Sequence, residues 1–196
     1  MLAPVKPTRR RGFLWLVALS AAVVLAACGG DGDSPGGTTP TVVVTASPEE
    51  RDYFQQLKLG LDEVHQQADA LDAALDAAFD PQRPEPERAD AGIAYGQQYQ
   101  GYAAEAQAKL SAIVPPSSLE PLHEAIVGAA GGLVELAGGL NSRLASRTVA
   151  TQSQFSELFV ELDGVTLEGR FRDACFDLQA QATRKSAGVA LECNRS

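Results

Sequence analysis

Eight apolar residues, Phe54, Leu57, Leu61, Val64, Ala68, Leu71, Leu75 and Ala78, recur along one stretch at alternating spacings of 3 and 4. Side chains so spaced fall on one stripe of an α-helix, because a turn takes 3.6 residues. A half-buried strand would instead alternate at every second position. A stripe held for about three and a half heptads has to be buried along a neighbouring helix crossing at a shallow angle. The chain is thereby committed to helix-on-helix packing. The flanks of the stretch agree. In "SPEE" Ser47 sits at the N-cap, Pro48 at the first helical position and Glu50 three residues on, which is the spacing of a capping box. Asp80-Pro81 closes the helix, and "PQRPEPE" reads as a proline-rich turn.

Three further segments carry helical patterns. The second runs from Glu87 to Ile113, with Gly92, Tyr95, Tyr99, Tyr102, Ala106, Leu110 and Ile113 on one side. The third starts at Ser117 or Ser118, where Ser117 and Glu120 repeat the capping-box spacing, and is lined by Leu119, Leu122, Ile126, Leu133, Leu136, Leu140 and Leu144. Its middle, "GAAGGLVELAGG", is glycine-rich, and each interior glycine costs about 1 kcal/mol against alanine. That cost predicts either close approach of a neighbouring backbone at Gly128 and Gly132 or a bend. Glu124, Glu135 and the length of the apolar run argue against a membrane span there. The fourth region covers Thr148 to Ala187, is kinked or divided at Gly164, and is followed by a tail that turns back at Gly188. The predicted fold is all-α: an antiparallel four-helix bundle over 48–196 with a short C-terminal tail pinned by a disulfide between Cys175 and Cys193.

The chain begins differently. Lys6, Arg9, Arg10 and Arg11 precede an apolar run from Phe13 to Ala27, after which come Cys28 and glycines. A run of about 15 residues falls short of the roughly 20 a comfortable span needs. Basic flank, short apolar run and small residues are the parts of an export signal. Leu25-Ala26-Ala27-Cys28 resembles the lipobox of bacterial lipoproteins. The resemblance implies that residues 1–27 are removed and that the Cys28 thiol carries lipid, anchoring the chain to a membrane on the extracytoplasmic side of a bacterial cell envelope. Arg10-Arg11-Gly12-Phe13-Leu14 also resembles a twin-arginine export pattern, with general secretion as the other route. The "VPPSSLEPLH" entry to the third helix and the returning tail look like those of uncharacterised helical lipoproteins of GC-rich bacteria, a resemblance that implies no activity. Residues 28–47, rich in Gly, Pro, Ser and Thr, read as a tether of roughly 24 Å mean reach.

Charge narrows the partners. The whole chain carries −9, and removal of 1–27 takes away four positive charges and no negative ones, which leaves −13. Such a domain is a poor ligand for nucleic acid or an anionic membrane surface. Attachment would fall to the lipid on Cys28. With Cys28 acylated, Cys175 and Cys193 remain as one pair in an oxidising compartment, where a bridge is the ordinary outcome.

No nucleophile elbow, zinc-protease motif, phosphate loop or dinucleotide fingerprint occurs in the sequence. The first expectation is therefore a non-enzymatic interaction or structural module, without a cofactor, that meets an envelope or extracellular protein. Two alternatives stand beside it. Tyr95, Tyr99 and Tyr102 share a stripe and, with the glycine gap of the third helix, could form a groove for an apolar small molecule. Their other role is a core edge with the hydroxyls in water. Asp62 with His65, and Glu120 with His123, repeat the acid–x–x–His spacing of metal-binding bundles. Both pairs lie one step off the apolar seam, which places them on the flank rather than inside. Asp69, Asp72, Asp76 and Asp80 form one acidic face, read as solvated.

Overall fold

The computed structural model describes residues 45–194. The expected export signal, Cys28 and most of the tether lie outside them. The described residues are all-helical, with no strand. Five helices follow in order: α1 Pro48–Ala78, α2 Glu85–Ser111, α3 Glu120–Ser146, α4 Gln152–Glu161 and α5 Gly164–Arg184. The fourth region of the sequence reading is thus two helices. The close backbone pairings are α1 with α2, α2 with α3, α3 with α5, and α4 with α5 and α3.

Helix α1 starts as its sequence predicts. The Glu50 amide donates to Ser47 Oγ at 3.2 Å and the Ser47 amide donates to a Glu50 carboxylate oxygen at 3.0 Å, completing the capping box. The same carboxylate accepts from Ser118 Oγ at 2.7 Å and pairs with Lys185. One residue therefore ties together the starts of α1 and α3 and the end of α5. This explains a correction at α3. Its N-cap is Leu119, with no side-chain cap bond, because the neighbouring hydroxyl of Ser118 is given to Glu50 instead. Ser117 does not cap it either.

The division between α4 and α5 falls where expected, for a different reason. The left-handed residue is Asp163, at φ 60°, a conformation aspartate tolerates better than most. Gly164 is helical, and a β-carbon there would lie 2.5 Å from the Phe159 ring. Its place is steric, held open for that ring.

The glycines of α3 also act otherwise than predicted. The helix is continuous. A β-carbon at Gly128 would meet nothing within 4 Å, and one at Gly132 would meet only the tip of Leu167, at 3.1 Å. The close approach between α2 and α3 is at Gly96, where a β-carbon would lie 2.7 Å from Leu144 Cδ1 and 3.6 Å from the Asn141 Cα. By length and composition α3 is apolar enough to cross a membrane, so length does not exclude a span as the sequence reading held. In the fold its apolar side is covered by α2, α4 and α5.

Two apolar clusters fill the interior. One joins the first half of α1, the end of α2, the first half of α3, the end of α5 and the tail, with Phe54, Leu57, Leu61, Ile126, Leu178 and Leu191 all at 0% exposure. The tail turns at Gly188, φ 71°, and is held by Gln179, whose side chain accepts from the Leu191 amide and donates to the Val189 carbonyl. Cys175 and Cys193 stand at disulfide distance, Cα–Cα 5.7 Å. The second cluster joins the end of α1, the start of α2, the end of α3 and α4, and is richer in rings.

Candidate ligand pocket

Packing is uneven between these clusters. Along α1, Leu and Phe give way to "ADALDAALDAA", and small side chains leave space beside them. Alanines 68, 103, 106 and 130 face that space from three helices. Because α1 and α5 do not make a close backbone pairing, the space opens between them. The result is a cavity of about 500 Å³, within the range of small-molecule sites.

Tyr95, Tyr99 and Tyr102 all line it, so the structure brings together the three tyrosines that the sequence grouped. They form a continuous aromatic wall. Tyr95 and Tyr99 are stacked at 6.2 Å between centroids, Tyr99 and Tyr102 lie at 6.1 Å, and Phe155 meets Tyr95 edge-on at 5.3 Å. Phe155 in turn stacks on Phe159 at 6.3 Å. Burial, with Glu168 contributing at each ring, pushes all three phenols up, Tyr102 to about 12. They are neutral hydroxyls throughout the physiological range. The glycines expected to shape this groove do not line it; Ala130 and Leu133 form its α3 side. Val160 and Val165, 64% and 65% exposed, extend its apolar surface to the exterior.

Of the charged residues of the pocket, Glu168 and Arg172 were not singled out from the sequence, and Asp72 was placed only on a solvated face. Glu168 on α5 and Asp72 on α1 face it, and Arg172 stands one turn beyond Glu168. Burial and the Asp72 charge raise the Glu168 carboxyl above its usual range, while Arg172 pulls it back. Asp72 is raised by burial and by Asp69 and Asp76. Asp69, Asp72 and Asp76 are all exposed, as a solvated face requires, and Asp72 also edges the cavity. A signal was present for Glu168: it shares a helical face with Val165, Phe171 and Cys175, spaced at three and seven residues, and a carboxylate within an apolar stripe is unusual.

The acid–histidine pairs do not converge. Asp62 is paired with Lys58 at 2.5 Å. His123 is buried with its Nδ1 3.2 Å from the Tyr53 hydroxyl, and burial lowers its pKa. His65 is also buried and borders the pocket. Among the described residues no three His, Cys, Asp or Glu side chains gather as a metal-ligand set, and Glu120 joins none. Both histidines are packed within the fold, although the seam placed them at its flank.

The chain matches no protein-family model, no curated protein and no solved structure.

Proposed function

We propose that this chain is a lipid-anchored extracytoplasmic module that binds an apolar small molecule in the pocket between α1 and α5. The cavity itself carries the reading: a space of about 500 Å³ walled by three tyrosines is far larger than ordinary packing defects in a close-packed interior. It moves the weight from the interaction or structural module, which needs no hollow, to the ligand-binding alternative. In this reading α4 and α5 together form the fourth member of a four-helix bundle, and a Cys175–Cys193 bridge holds the tail beside the pocket. The Leu25-Ala26-Ala27-Cys28 motif supports the anchor, and the acidic domain supports the need for one.

Three measurements test these parts. Binding of the neutral fluorophore N-phenyl-1-naphthylamine should enhance its emission, and Ala68→Trp should weaken it by about tenfold with the helical circular dichroism retained. Val160→Trp, at the exposed rim, should weaken it too. Emission unchanged in both variants overturns the pocket reading. Cys28→Ser should abolish lipid labelling and release the chain, and persistent membrane attachment removes the anchor. Mass measured without reductant should show no alkylatable thiol at Cys175 or Cys193; two labelled thiols remove the bridge.

A further inference from the structure

The chemistry of the pocket wall narrows what it would hold. Resting on the ligand-binding reading above, we infer that the ligand is an organic ammonium compound with an apolar body and no adjacent anionic group. An electron-rich aromatic wall attracts a cation placed over its ring faces, and Tyr95, Tyr99, Tyr102 and Phe155 supply such a wall in mutual contact. Two carboxylates, Asp72 and Glu168, face the same space from opposite helices. Asp69 and Asp76 add to the field at Asp72, and Arg172 offsets part of the charge at Glu168 from α5. His65 also borders the space. The acids outnumber the one guanidinium, so an anionic ligand would meet repulsion and a cation would relieve the crowding of Asp72 and Glu168. A neutral apolar molecule would cover both carboxylates with Arg172 as their one counter-charge in the lining, at a cost in desolvation. The apolar body is indicated by the remaining lining, Leu71, Leu75, Leu133, Phe159 and Phe171.

The test uses the full chain carrying Cys28→Ser, which removes the lipid, and calorimetric titration with four probes of one chain length. Octyltrimethylammonium should bind about tenfold or more tightly than 1-octanol, and octanoate more weakly than either. Octylphosphocholine, which places a phosphate beside the same cation, should bind more weakly than octyltrimethylammonium. Asp72→Asn with Glu168→Gln should bring the ratio of cation to alcohol affinity close to one. Should that double variant fail to fold, Glu168→Gln alone should still narrow the ratio. Equal or tighter binding of octanol overturns the ammonium assignment. Equal binding of octylphosphocholine assigns a lipid-like headgroup and overturns the simple cation. If the naphthylamine binds and none of the four probes does, the ligand class is wrong while the pocket stands. If the naphthylamine also fails, the pocket reading falls and this inference with it.

Discussion

The two halves of the helical domain are built from the same long helices but solve opposite problems. At one end, the first turns of α1 meet the ends of α2 and α5, and Phe54, Leu57, Leu61, Leu178 and Leu191 leave no exposed surface. At the other, rings and alanines surround a cavity of about 500 Å³. The carboxylates of the two halves show the same contrast. Glu50 receives a hydroxyl, a backbone amide and a lysine, and these partners hold its carboxyl down from 4.5 to about 2. Glu168 is exposed at the pocket edge, where partial desolvation and the Asp72 charge push it up. The first charge stabilises the fold, and the second is tolerated at a cost.

The contrast can be broken most directly by cavity-forming substitutions. Leu57→Ala, in the solid half, should cost about 3–4 kcal/mol, seen as a lowered urea midpoint. Leu133→Ala already faces open space and should cost about 1–2 kcal/mol, mainly the lost transfer energy. Equal losses would mean that the second half is as densely packed as the first.

Acid denaturation sharpens the comparison of the charges. A carboxyl whose pKa is lowered on folding stabilises fully above its unfolded value and loses that contribution as pH falls through the folded one. For Glu50 that window runs from 4.5 down to about 2. Glu50→Gln should cost about 2 kcal/mol at neutral pH and flatten the stability profile across that window. Glu168→Gln should act in the opposite sense: the raised carboxyl costs stability above its ordinary range, so its neutral replacement should not destabilise at neutral pH. An acid limb insensitive to Glu50→Gln would remove the clamp from the account.

The smallest effect separates two glycines four residues apart. Gly128→Ala adds a β-carbon to empty space inside a helix and should stabilise by about 0.5–1 kcal/mol. Gly132→Ala presses on Leu167 and should gain less. A loss at Gly128 would restore the close helix approach that the sequence predicted there.

What could be read from the sequence was local or periodic. The Ser47–Glu50 box needs only residues three apart, and the heptad stripe of α1 needs only its own spacing; both are present in the structure. Ser117 and Glu120 carried the same signal and failed: α3 begins at Glu120 with Leu119 at the N-cap, and the adjacent Ser118 bonds to Glu50, a partner 68 residues away. The stop at Gly164 was placed correctly while its cause was not, since the demand comes from Phe159 packing across the turn. The tyrosine stripe was visible as a face. Its role was not, because a stripe facing a core and one facing a cavity have the same periodicity.

The sequence by itself determined that residues 48 onward form amphipathic helices, where the first of them starts, and which two cysteines come within bonding distance. Spacing along a helix suffices for the first two, and the cysteine pair followed from setting Cys28 aside as the lipidated residue. Only the tertiary structure decided that the interior is solid around Phe54 and Leu57 and opens into a cavity between the two clusters. The cavity is lined by side chains from all five helices, so it exists only once they are packed together. The same packing brought Glu168, which lies far along the sequence from Asp72 and the tyrosines, to the cavity they line.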